Sequence, residues 1–207
     1  MKKRFLLLCL VCVIVLSSCT SALREMEDED ILYAVDGDAV LLAKELKHYY
    51  ANAVYEAEQN SRKAPSEKEA FLDLVQMKTL SYLAEKYGFT ADRALLEEEY
   101  RLYLEELADP LYAAEKAYAD GLKEYLGMDE KAFMEYNIWV SLMHKQADAL
   151  ISGFAENYRH ITDPQLLAEE IDKNLTEYLK TSEISCHYPG LKDYIPKFSY
   201  LYGTEDL

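Results

Sequence analysis

Histidine, cysteine and carboxylate side chains can hold a metal or move a proton, and their spacing decides whether they do. The four histidines are His48, His144, His160 and His187, and no two stand at the i, i+4 step that puts a ligand pair on one helix face. No cysteine cluster accompanies them, so no metal site is expected. The chain has no G-x-S-x-G elbow, no Walker loop and no dinucleotide fingerprint. Its 38 acidic residues would let a carboxylate pair for glycoside hydrolysis be drawn almost anywhere, so such a pair carries no information. An enzyme acting on wall polymers finds no supporting constellation, and an acidic body suits anionic polymers poorly. Catalytic residues and cofactors are therefore expected to be none, and the protein is read as a non-enzyme.

The chemistry that the sequence does support is at the N-terminus. Lys2, Lys3 and Arg4 precede an uncharged apolar run from Phe5 to Leu16. As a helix that run would reach about 18 Å, short of the ~30 Å hydrocarbon core, which suits a signal peptide better than a membrane span. It ends in Leu16-Ser17-Ser18-Cys19. This ending resembles the lipobox of bacterial lipoproteins. The resemblance implies cleavage after residue 18 and a diacylated Cys19, with palmitate-class chains, as the mature N-terminus. Two acyl chains make a stable anchor where one binds reversibly.

Removing the leader takes three of the 22 basic residues and none of the 38 acidic ones, so the net charge moves from −16 to −19. Such a body is repelled by phosphates, which excludes nucleic acid as a partner, and by anionic headgroups, against which the lipid must hold it. Of the four cysteines only Cys186 is left after the leader and the lipidated position, so no intramolecular disulfide forms in the mature chain. The expected location is the extracytoplasmic face of a bacterial membrane, with the lipid as the membrane contact.

Residues 19–30 read as a solvated acidic tether, because Arg24-Glu25-Met26-Glu27-Asp28-Glu29-Asp30 lacks the ligand alternation and glycine of a calcium loop. Ile31 to Val35 reads as a short strand and Asp36-Gly37 as a tight turn leading into a helix. Helical periodicity then dominates. Leu42, Leu46, Tyr49 and Ala53 form one stripe. Ser66-Glu67-Lys68-Glu69 is a capping box for a helix carrying Phe71, Leu74, Met77, Leu80 and Ala84, which Gly88 stops. Thr90 is placed as the next cap, ahead of Leu96, Tyr100, Tyr103 and Leu107. Asp109-Pro110 opens a helix with Leu111, Ala114, Tyr118, Leu122 and Tyr125 on one face. Asp129 starts the longest helix and Asp163-Pro164 the last.

The predicted fold is mainly α, with about six helices over residues 31–181 and a possible two-stranded β element. Residues 182–207 form an aromatic-rich segment packed on the domain. Phe198, Tyr200 and Tyr202 alternate, so this piece is expected to pair as a strand with Ile31 to Val35.

The order of turn, capped helix and glycine stop resembles the N-terminal domain of the SurA and PrsA class of envelope foldases. The matching pieces are Val35-Asp36-Gly37-Asp38, Lys86-Tyr87-Gly88-Phe89-Thr90 and Leu126-Gly127-Met128-Asp129-Glu130-Lys131-Ala132-Phe133, within residues 31–155. No parvulin-like sequence follows, so isomerase activity is not carried over. The resemblance implies the chaperone-like part alone: ATP-independent binding of exposed apolar segments of unfolded, secreted or envelope polypeptides. The alternative is an envelope scaffold or accessory subunit with one specific partner. Eighteen tyrosines suit a groove for varied partners, and Tyr100, Tyr103, Trp139 and Met143 are the expected lining.

Overall fold

The computed structural model describes residues 22–198, so Cys19, Tyr200 and Tyr202 lie outside the described residues. The fold is mainly helical, with six α-helices and a small antiparallel sheet. The strands are β1 (Ile31–Val35), β2 (Asp38–Leu42) and β3 (Ile184–Cys186). The helices are α1 (Ala43–Gln59), α2 (Glu67–Lys86), α3 (Arg93–Glu106), α4 (Ala113–Tyr125), α5 (Glu130–Asn157) and α6 (Pro164–Thr181).

Asp36 and Gly37 take φ of 52° and 83°, and this pair of positive angles folds β1 back on β2. The turn therefore leads into a second strand and not directly into a helix. Leu42, expected on the first helical stripe, is the last residue of β2. The sheet order is β2-β1-β3, so the expected two-stranded element is three-stranded. The partner of β1 on its other edge is Ile184–Cys186, with Val35 opposite Ile184 and Tyr33 opposite Cys186. Asp36 selects that segment. Its carboxylate accepts the Glu183 N–H at 2.9 Å and the Ser182 hydroxyl at 3.1 Å, and its own N–H donates to the Glu183 carbonyl. The expectation that the Phe198 region supplies this strand is corrected accordingly. Phe198 is instead a fully buried core residue, its N–H donating to Asp172 at 3.3 Å.

The core is built around α2, which buries residues on nearly every side, from Phe71 and Leu74 to Gln76, Thr79 and Ala84. A helix buried all round shows no single apolar stripe, and here it touches β2, α1 and α5. Ser66 and Glu69 form the expected capping box, with the Ser66 N–H donating to the Glu69 carboxylate at 2.6 Å. Gly88 stops the chain in the left-handed region at φ 81°. The cap of α3 is Asp92 and not Thr90: its carboxylate accepts from Ala94 and Leu95. Asp109 caps a 3-10 turn, Pro110–Tyr112, before α4 begins.

The acidic segment also departs from its expected role. It is docked on the body while its charged side chains stay exposed: Leu23 is buried, Met26 packs on the core, and Lys44 and Lys47 pair with Glu29 and Asp28. Lys47 additionally donates to the Met26 carbonyl at 2.7 Å. Two apolar residues and two helix cations hold the segment against the body, with its charges facing water. The described tail packs on the domain through Tyr188, which stacks on Phe71 with ring centroids 4.2 Å apart.

Candidate functional site

A cleft of about 770 Å³ lies between the start of α1, the α4–α5 turn and the first half of α5. Its apolar walls are Leu126, Met128, Trp139 and Leu142, and its polar rim includes Lys44, His48, Arg93 and Glu135. Gly127, at φ 65°, turns the chain sharply so that Leu126 and Met128 both reach the cleft. Asp129 then caps α5, accepting the Ala132 N–H at 2.8 Å, which fixes the register that brings Trp139 to the floor.

Trp139 is held from two sides. Its ring packs against Tyr136 at 5.8 Å, and the Lys78 ammonium sits 5.5 Å from its centroid. Its indole N–H is buried with no hydrogen-bond partner among the described residues, a cost of about 1–3 kcal/mol that packing must offset. Lys78 reaches across from α2 to Glu45 at 2.8 Å, and Glu45 also accepts the Leu42 N–H at 2.8 Å. One carboxylate thus caps α1, pairs with α2 and lines the cleft. The other rim charges are likewise paired, Arg93 with Glu97 and Glu135, and Lys44 with Glu29. Burial holds the His48 imidazole below its usual range, edge-on to Tyr136, so it is neutral near pH 7.

Each carboxylate of the cleft already serves an ion pair or a cap, and no group of three or more His, Cys, Asp or Glu among the described residues could hold a metal. One pair that sequence reading missed is Ser185 with His187, Oγ to Nε2 2.8 Å, two residues apart on and just after β3. Among the described residues no carboxylate orients the other imidazole nitrogen, so the geometry of an activated nucleophile is incomplete. What the cleft offers is open apolar surface with its charges already neutralised.

The expected lining residues do not come together. Trp139 is in the cleft. Tyr100 and Tyr103 line a separate hollow of about 190 Å³ between α3, α4 and Phe133, their rings 6.1 Å apart. Burial raises the pKa of both phenols, Tyr100 next to Glu130 and Tyr103 next to Glu115. Met143 lines neither: it is buried in the main core, where α5 is covered by α2. His48, Arg93, Leu126 and Leu142 also line the cleft without having been expected there. Compared with known proteins, the chain matches no family model, no curated protein and no solved structure.

Proposed function

We propose that this chain is a lipid-anchored extracytoplasmic protein of chaperone character that binds exposed apolar segments of secreted or envelope polypeptides without ATP. The observation that supports this reading is the open cleft at Trp139, whose rim charges already have ion-pair partners while its apolar walls stay uncovered. Its volume falls in the ~300–1,000 Å³ range of sites that enclose small ligands, and its open side admits a chain passing through.

Trp139 is the single tryptophan, so the site carries its own reporter. Titrating a tryptophan-free apolar peptide is expected to shift Trp139 emission, and Trp139→Ala is expected to weaken peptide affinity by about tenfold, as loss of a buried aromatic anchor does. The parent protein should also suppress aggregation of an unfolded secreted protein at several-fold molar excess. A flat emission titration together with unchanged aggregation would remove the reading.

The anchor is tested separately. Cys19→Ser is expected to move the protein from the membrane to the soluble fraction and to abolish acyl labelling. With Leu23 buried in the body, the four steps from Cys19 reach at most about 14 Å, so the lipid holds the domain against the bilayer and not at the end of a long leash. Protease cleavage between residues 23 and 30 in the folded protein would contradict that placement.

A further inference from the structure

The α3–α4 arm, residues 93–125, is poorly covered. Among its helical residues only Leu96 and Leu122 are buried, and most of the exposed large apolar side chains of the described residues belong to it. Leu111 at its tip is 79% exposed, and Leu95 and Leu102 are 55% and 46% exposed. Leu95 and Leu102 stand seven residues apart, two turns along one face of α3 and away from the buried Leu96 side. None of the three lines the Trp139 cleft.

The charge of the arm states what could cover this face. Its four cations, Arg93, Arg101, Lys116 and Lys123, are each already paired with a carboxylate. Glu106, Glu115 and Glu124 have no cation within pairing distance among the described residues, and Glu106 sits in the last turn of α3, which holds no basic residue. That end of the helix is itself negative, so the carboxylate there is unfavourable until a cation arrives. A second copy of the mature chain would bring the same negative field, at −19 overall once the three basic leader residues are removed from the −16 of the full sequence, and anionic lipid or nucleic acid would be repelled in the same way.

We propose that the outer face of α3 and the tip of the arm form a docking surface for a basic amphipathic segment of another polypeptide. Its apolar residues lie on Leu95, Leu102 and Leu111, and its lysines or arginines meet Glu106 and the helix end. The surface is distinct from the Trp139 cleft and does not depend on it.

The test uses the full mature chain carrying Cys19→Ser, which keeps every described residue. Three labelled peptides are compared by fluorescence anisotropy: a helical Leu/Lys amphipath, its Leu/Glu counterpart, and a scrambled Leu/Lys peptide of the same charge. The Leu/Lys amphipath is expected to bind at least about tenfold more tightly than either control, and to weaken with salt. The double variant Leu102→Ser/Leu111→Ser should reduce its affinity by about tenfold, as should Glu106→Lys, while Trp139→Ala leaves it unchanged. Leu102, Glu106 and Leu111 are exposed, and unaltered thermal melting confirms that these variants fold. Equal binding of amphipath and scrambled peptide, or indifference to both the leucine and the glutamate variants, overturns the proposal. So does loss of binding in Trp139→Ala, which would put the peptide in the cleft. Concentration-dependent self-association abolished by the leucine variant would assign the face to a second copy instead.

Discussion

Phe71→Ala is expected to lower the stability of this domain by about 3–5 kcal/mol, the largest effect of any single truncation discussed for it. Phe71 is fully buried near the start of α2 and is the point where the tail meets the body, stacked on Tyr188 at an interplanar angle of 21°. Truncation removes the transfer free energy of the ring, leaves a cavity in a core that packs from all sides, and deletes an aromatic pair worth about 0.5–1.5 kcal/mol beyond its area. For a domain of this size the loss corresponds to roughly a 10 °C fall in Tm. Urea unfolding measures it directly. Amide exchange should rise in β3 as well as in α2, because Tyr188 follows β3 by two residues and loses its stacking partner. A loss below about 1 kcal/mol would mean that the tail does not unfold cooperatively with the core.

The elements readable in the sequence are those whose signals are local. Ser66 with Glu69, Asp129, Asp163-Pro164 and Gly88 mark helix ends through hydrogen bonds and backbone angles that need no distant partner. Of the stripe Tyr136, Val140, Met143, Ala147, Leu150 and Phe154 in the longest helix, all but Val140 and Phe154 are buried. β2 was hidden for a physical reason. Val40 and Leu41 are adjacent and both buried, so the strand lacks alternation, and the junction with α1 has no side-chain cap of its own. Glu45, one turn into the helix, takes the Leu42 N–H instead. At α3 both Thr90 and Asp92 have the right chemistry, and only the path of the chain after Gly88 selects between them. In the acidic segment, Leu23 and Met26 were the overlooked signal, three residues apart inside a run of charge.

The site was legible only in part, because a cleft is a property of neighbours. Trp139 and Met143 share a helix face by spacing, yet α2 covers Met143, and the cleft lies farther back along α5. Its walls come from α1, the α4–α5 turn and α5, and no spacing rule within one segment could collect Leu126, Met128 and His48. The arm shows the opposite failure. Leu111, Ala114, Tyr118, Leu122 and Tyr125 have helical spacing suited to a buried stripe, but only Leu122 is covered. Periodicity reports that a helix could bury a face, not that a partner within the chain does so.

The ion pair beneath the cleft gives the second large effect. Lys78→Met is expected to cost about 3 kcal/mol, at the low end for a buried pair, since the two side chains retain 18% and 17% exposure. Most of that loss comes from leaving Glu45 charged beside apolar walls with only the Leu42 amide to satisfy it. Glu45→Gln should cost less, because the amide oxygen still accepts from Leu42 and Lys78 still faces the Trp139 ring. The double variant is expected to recover about 1–3 kcal/mol of the summed losses, a coupling that a double-mutant cycle in urea reads directly. Lys78→Met also removes the cation from the Trp139 face, so the emission of the single tryptophan should shift even in the folded state. Strict additivity with unshifted emission would mean that the pair holds neither the helices together nor the indole in place. The cleft would then owe its shape to packing alone.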